Sequence, residues 1–148
     1  MRKLRWLIVC LGALLLVTAC KEIPAENKGE SLQALLDGNQ KIEQLYQAHT
    51  SDVWVTGVGE VTRILPDDNE GLKHQKFILR LSNQDLTIQI AHDISIGQRV
   101  DGLKVGDEIK FVGEYYYNKQ GGGVHWTHHD NSGKTKGGYL IKDGKMYK

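Results

Sequence analysis

The stretch that decides the fold is Val53-Trp54-Val55-Thr56-Gly57-Val58-Gly59-Glu60-Val61. Its valines and glycines at odd positions alternate with the other residues, and a period of two is that of a β-strand. Gly57 and Gly59 inside so long a strand indicate strong coiling or a close approach of another backbone segment. The folded part of the chain therefore contains a long, strongly curved first strand.

Four further stretches carry the same period, and turn signals separate them. They are Lys76 to Leu81, Leu86 to Ile90, Ile109 to Tyr117 and Val124 to His129. The pattern lacks the strand–helix–strand alternation of a parallel sheet. It predicts a mainly β domain over residues 53–148, a small five-stranded OB-like barrel. The pattern of residues 139–147 predicts a small hairpin or an extended segment that wraps around the domain.

A helical segment over residues 31–49 precedes the barrel. Ser31 is a suitable N-cap, and leucines follow it at helical spacing. Asp37-Gly38 interrupts the pattern, and Asn39 could cap a second helix. The sequence therefore predicts one or two short helices. His49 lies at the end of the apolar stripe and is expected to be partly buried or to cap the helix.

The first 19 residues have the layout of a secretory signal peptide. A basic start with Arg2, Lys3 and Arg5 precedes an apolar run that is too short to span a bilayer. Val17-Thr18-Ala19-Cys20 resembles the lipobox of bacterial lipoproteins, which implies cleavage before Cys20 and lipid on its thiol and amino group. Residues 20–30 then form a flexible tether. In bacterial lipoproteins of the Gram-negative enteric type, a residue other than Asp after the lipidated Cys usually permits export to the outer membrane, so the resemblance favours that membrane for a chain with Lys21.

Cleavage would change both the cysteine content and the charge. Cys10 would be removed and Cys20 would carry lipid, so the mature domain would have no free thiol. The loss of three basic residues would leave 16 Lys and Arg against 18 Asp and Glu. A slightly acidic protein has no general affinity for nucleic acid. Residues 131–148, with five Lys and one Asp, are a basic tail that could meet anionic lipid or polysaccharide.

Several short strings occur in an order that resembles a known family. They are Leu65-Pro66-Asp67-Asp68, His74-Gln75-Lys76-Phe77-Ile78, Ile90-Ala91-His92, Lys104-Val105-Gly106-Asp107, Gly113-Glu114-Tyr115, His125-Trp126-Thr127-His128-His129-Asp130 and Gly137-Gly138. In this respect residues 53–148 resemble the bacterial family called domain of unknown function 3465, a set of small exported proteins. The resemblance implies an OB-like fold and export, and the family carries no established activity or cofactor from which a mechanism could follow.

The string from His125 to Asp130 holds three of the six histidines. On a strand, Trp126, His128 and Asp130 would share one face, and His125, Thr127 and His129 would share the other. A divalent metal would then need a histidine from a neighbouring strand, and the preferred metal set is His74, His128 and Asp130. The alternative is that these histidines make hydrogen bonds to turns and backbone, which we expect for His92.

Two functions remain open from the sequence. The first is a binding or accessory module of the cell envelope, held on the membrane by Cys20, with an envelope polysaccharide, an oligonucleotide or a protein as ligand. Its predicted ligand-binding residues are His74, Gln75, Trp126, His128, His129 and Asp130. The second is a metal-dependent hydrolase, a nuclease or phosphodiesterase, that uses the same histidines. His125, His128, Asp130, Glu60 and Glu114 are its acid–base candidates.

Overall fold

A computed structural model of the chain describes residues 30–68, 71–134 and 137–148. These residues form the helix α1 (Leu32–Gln47) and the strands β1 (Val53–Ile64), β2 (His74–Leu81), β3 (Thr87–Asp93), β4 (Glu108–Tyr116), β5 (Gly123–His125), β6 (Tyr139–Lys142) and β7 (Lys145–Tyr147). The predicted signal peptide and Cys20 lie outside the described residues, as does the tether up to residue 29. Within the described ranges, no helix has the length and apolar character to span a membrane.

Five of the strands close into a barrel. β1 pairs antiparallel with both β2 and β4, and β2 pairs antiparallel with β3. β5 closes the circle because it lies parallel to β3 and antiparallel to β4. This is the five-stranded OB arrangement that the sequence predicts. β6 extends the sheet beside β4, and β7 turns back on β6 as the predicted hairpin.

The alternating pattern of the strands places the core as expected. Side chains at every second position are buried inside the barrel; among them are Phe77, Leu79, Leu81, Ile88, Ile90, Ile109, Phe111 and Tyr115. The first strand needs its glycines because other groups approach it closely. A Cβ atom at Gly57 would lie 2.5 Å from Asn39 Oδ1 and 2.6 Å from the Phe111 ring. The predicted close approach at this glycine is confirmed.

The helix is continuous, so the prediction of an interruption at Asp37-Gly38 is wrong. Ser31 is the N-cap, as predicted, and its hydroxyl accepts a hydrogen bond from Ala34 N at 3.2 Å. Gly38 lets α1 lie against β1, where a Cβ atom would be 2.2 Å from Thr56 O. Asn39 does not cap a second helix. It is buried, and its side chain bonds to the backbone of the barrel.

The histidine-rich string leaves the barrel earlier than predicted. β5 ends at His125, and Trp126 has a φ of 53°, which a strand does not allow. The physical reason is competition for one edge of β4. β5 pairs with residues 114–116 of β4, but the same edge is taken by β6 from Val112 back to Lys110. The predicted strand over residues 124–129, and the two faces derived from it, are therefore wrong.

Candidate functional site

A cavity of about 250 Å³ lies on the outer face of β2, β3 and β5. Its lining combines four aromatic or imidazole rings with one carboxylate and three apolar side chains. These residues are His74, His125, Trp126, His128, Asp93, Leu72, Ala91 and Ile96. The second and third strands and the loop between β1 and β2 are where barrels of this type hold ligands.

The pairing of β2 with β3 brings two of the polar residues to this face. Gln75 and Phe77 point into the barrel, so His74 points outwards. On β3 the same alternation turns Ala91 and Asp93 outwards. His74 lies directly opposite Asp93 in the register of the hairpin. The start of β2 and the end of β3 therefore place an imidazole and a carboxylate side by side.

The segment after β5 is held over the cavity by groups behind it. Thr127 is buried, and its hydroxyl lies 2.9 Å from His92 Nδ1 inside the fold. Gly138 N donates a hydrogen bond to His128 O at 2.8 Å. A Cβ atom at Gly138 would lie 2.2 Å from the carbonyl oxygens of both Trp126 and Val112. The positions of Trp126 and His128 thus depend on Gly138, which lies twelve residues after Trp126 and ten after His128.

The buried His128 ring has one nitrogen fixed. His128 Nδ1 lies 2.8 Å from the backbone oxygen of His129, which can only accept, so Nδ1 is the donor. In the neutral ring Nε2 then carries a lone pair. The Trp126 ring, 45 % exposed, lies 5.5 Å from the His128 ring, centroid to centroid. The two residues present an aromatic face beside a hydrogen-bond acceptor.

His74 is oriented in the same way by a carboxylate. Asp68 Oδ2 accepts from His74 Nδ1 at 2.9 Å, and the other oxygen of Asp68 binds the ammonium group of Lys76. The hydrogen bond from Lys76 lowers the pKa of Asp68, which keeps this carboxylate ionised. A second ion pair, between Asp67 and Arg99 Nη1 at 2.6 Å, ties the same loop to the connection after β3. Asp67 and Asp68 therefore connect the loop between β1 and β2 to β2 itself and to the connection after β3.

His125 contributes an imidazole without a hydrogen bond. Among the described residues, His125 Nε2 is a buried side-chain nitrogen that has no hydrogen-bond partner. Glu114 Oε2 is 3.8 Å away, which is beyond a good hydrogen bond. Burial lowers the pKa of His125, although Glu114 acts in the opposite sense. The ring is therefore neutral at pH 7.

His92 is fully buried behind the cavity. Its Nδ1 lies 2.9 Å from Thr127 Oγ1 and its Nε2 lies 2.9 Å from Gln98 O. Burial lowers the pKa of His92. The prediction that this histidine makes hydrogen bonds to neighbouring segments is confirmed. Its role is to hold the segment after β5 and the connection after β3 together.

Asp93 is the site residue that the sequence reasoning missed. It is only 4 % exposed, and its Oδ1 accepts a hydrogen bond from Ser95 N at 2.7 Å. The signal that could have found it is the hairpin register. Paired residues of β2 and β3 are symmetric about Asn83 and Gln84, which lie in the predicted turn. A turn centred there places Asp93 opposite His74.

The structure brings together three of the six predicted ligand-binding residues: His74, Trp126 and His128. Gln75 is buried and binds the backbone of Val100 with both ends of its amide. His129 lines another cavity, of about 390 Å³, beside the C-terminal hairpin. Asp130 accepts hydrogen bonds from the backbone and the hydroxyl of Ser132.

The predicted metal set of His74, His128 and Asp130 is divided between these places. His74 and His128 line the cavity, and Asp130 does not. Residues 30–68, 71–134 and 137–148 contain no group of three or more His, Cys, Asp or Glu side chains that could hold a metal ion. Metal binding at these residues therefore stays a prediction.

The fold and the cavity define the class of the protein, a small OB-type barrel with a ring-lined cavity on the outer face of its second and third strands. A family model described as "Protein of unknown function (DUF3465)" matches residues 29–148. The chain belongs to this family, as its short strings indicate, and the match includes the helix as well as the barrel. No curated protein matches the chain.

Proposed function

We propose that the protein is a lipid-anchored binding module of the bacterial cell envelope, and that its binding site is the cavity beside Trp126. The observation that carries the proposal is the convergence of His74, Asp93, Trp126 and His128 on one cavity. They come from three separate parts of the chain and meet at the face where OB barrels hold ligands. Ligand sites combine an apolar or aromatic wall with a few placed polar groups in this way.

Two exposed tryptophans among the described residues, Trp54 and Trp126, offer a matched test of the site. Trp126 borders the cavity and is 45 % exposed, whereas Trp54 on β1 is 41 % exposed and does not line it. Full-length chain, purified in detergent, is screened against small envelope-derived compounds by NMR or tryptophan fluorescence. We expect Trp126→Ala to abolish the response and Trp54→Ala to preserve it. A screen without a bound compound, or binding that survives in Trp126→Ala, would contradict the proposal.

The lipid anchor is tested separately, with Cys20 as the predicted lipidation site and Cys10 as the control. Metabolic labelling with a fatty acid should mark the wild type and Cys10→Ser, and should fail with Cys20→Ser. Lipid on the Cys20→Ser chain would refute the anchor. The resemblance to lipoproteins also implies that Lys21 permits transfer to the outer membrane. Lys21→Asp should then move the protein to the inner-membrane fraction of a density gradient.

The hydrolase is the second candidate, and one contact favours it. Asp68 orients the imidazole of His74 at 2.9 Å, and a carboxylate–imidazole pair beside a cavity is a general-base arrangement. Its metal dependence is tested by elemental analysis after loading with zinc, manganese and copper, in the wild type and in His128→Ala. Stoichiometric metal in the wild type that is lost in His128→Ala would favour the hydrolase over a simple binding module.

A further inference from the structure

Asp93 is a buried carboxylate that has no counter-charge among the residues that the structure describes. Its side chain lines the cavity, and no ion pair to Asp93 occurs within the described ranges. Of the nearby cations, Lys76 binds Asp68 and Arg99 binds Asp67. Lys73, which borders this end of β3, is exposed. Its hydrogen bond to Ser95 N uses only one of the two carboxylate oxygens. A buried charge is costly unless a partner neutralises it.

Two further polar groups of the cavity, on His74 and His128, can accept as well. His74 Nδ1 donates to Asp68 and His128 Nδ1 donates to His129 O, so in the neutral form of either ring the Nε2 atom carries a lone pair. Among the described residues, no lysine or arginine lines the cavity. The exposed ring of Trp126 adds a π face, which attracts cations.

We infer that the cavity binds a primary ammonium group, RNH₃⁺, which deepens the proposed binding function and rests on it. Such a group has three N–H donors and no acceptor. Asp93, His74 and His128 are three acceptors, and Asp93 supplies the opposite charge. The alkyl chain next to the nitrogen packs against Trp126 and the apolar residues Leu72 and Ile96.

The same chemistry argues against anionic ligands. Single-stranded nucleic acid binds OB barrels through a positively charged groove with stacking aromatic residues. Here the aromatic residue is present, but the lining carries Asp93 in place of basic side chains. A phosphodiester or a carboxylate that entered this cavity without an ammonium group would meet a buried negative charge. Of the three ligand classes left open by the sequence, the oligonucleotide is therefore the one that the cavity disfavours.

The test uses three probes of equal chain length and different charge on the full-length protein. They are n-butylammonium, 1-butanol and butyrate. Binding is measured from the NMR shifts of Trp126 and His128 at about pH 7.5, where an alkylamine is protonated. We expect n-butylammonium alone to bind. Asp93→Asn keeps the acceptor for Ser95 N and should weaken binding about tenfold or more, because a charge-assisted hydrogen bond becomes a neutral one. Asp85→Asn, an exposed position in the β2–β3 turn, is the matched control.

Equal binding of 1-butanol or butyrate, or unchanged affinity in Asp93→Asn, would overturn the ammonium assignment while the cavity kept its proposed binding role. If none of the three probes bound, the ammonium assignment would also be overturned. The separate compound screen would then test the proposed binding function. Two further probes separate the sources of the ammonium group. If cadaverine binds more tightly than glycerophosphoethanolamine, the ligand is a free amine. If glycerophosphoethanolamine binds more tightly, the ligand is a lipid headgroup. Either result supports the ammonium assignment.

Discussion

At the scale of the residue, Asn39 joins three elements through one amide. It is fully buried in α1, donates to Val58 O at 2.8 Å and to Ser82 O at 2.9 Å, and accepts from Val58 N at 3.0 Å. Asn39→Ala would leave buried backbone groups without partners, so we expect a loss of about 2–4 kcal/mol in unfolding free energy. Urea denaturation measures it, with the exposed Gln40→Ala as control. Equal midpoints for the two variants would show that the amide contributes no stability.

His92 makes the stability of the barrel depend on pH. Burial lowers the pKa of His92 below its ordinary value of 6.5, so the unfolded chain binds a proton at a pH where the folded chain does not. The stability from the neutral ring is complete above about pH 6.5 and is lost as the pH falls towards the lower, folded pKa. His125 acts in the same direction. The carboxylate of Asp68, with a pKa below its ordinary value of 3.8, contributes stability that is present above about pH 3.8 and is lost only in more acidic solution.

We therefore expect the Tm of the wild type to fall between about pH 7.5 and pH 5.5. His92→Gln removes the titrating ring, so its Tm should be lower at pH 7.5 but should change less over the same range. Circular dichroism at several pH values measures both slopes. His49→Gln, at an exposed histidine, is the control and should follow the wild type. A slope that is unchanged in His92→Gln would assign the pH dependence to other groups.

At the scale of the element, Gly38 reverses the usual effect of a glycine in a helix. Alanine in place of glycine stabilises a free helix by about 0.8–1.0 kcal/mol. In this protein the added Cβ atom would lie 2.2 Å from Thr56 O and force α1 away from β1. Because overpacking costs about 1–3 kcal/mol, we expect Gly38→Ala to lower the Tm. The exposed Lys41→Ala on the same helix should leave it nearly unchanged, and a stabilised Gly38→Ala would refute the close approach.

The same elements show how far the sequence determines the fold. The five strands and the hairpin at the C-terminus follow from a local alternation of residues, and a buried barrel preserves that alternation. The end of β5 does not follow, because β6 competes with it for the edge of β4 from a distant part of the chain. The continuity of α1 through Gly38 is also a tertiary effect, since β1 supplies the contact.

The site was only half predictable for a related reason. Trp126 and His128 stand out by composition, and His74 by its place at the start of a strand. Asp93 is an ordinary residue at the end of β3 and becomes part of the site only through the hairpin register. Conversely, Gln75 is adjacent to His74 in the chain but points into the fold, where it binds Val100.

At the scale of the whole molecule, the cavity depends on the closure of the chain at its C-terminal end. β6 and β7 are outside the five-stranded barrel, yet their side chains Leu140 and Tyr147 are buried in its core. The residue before β6, Gly138, holds the backbone of His128. The hairpin therefore supports both the core and the segment that carries Trp126 and His128.

Removal of residues 139–148 should consequently lower the Tm strongly and abolish the response of Trp126 to n-butylammonium, because the edge of β4 and part of the core would be exposed. Gly138→Ala separates the two effects. Its Cβ atom would collide with the carbonyl oxygens of Trp126 and Val112, so we expect ligand binding to weaken more than stability falls. Gly102→Ala is the control, since its added Cβ meets nothing within 4 Å and only the backbone at φ 57° is strained. Calorimetry and the NMR titration give the two readouts. If Gly138→Ala bound n-butylammonium as tightly as Gly102→Ala, the cavity would not depend on the hairpin, and the buried contacts of Leu140 and Tyr147 would serve the stability of the barrel alone.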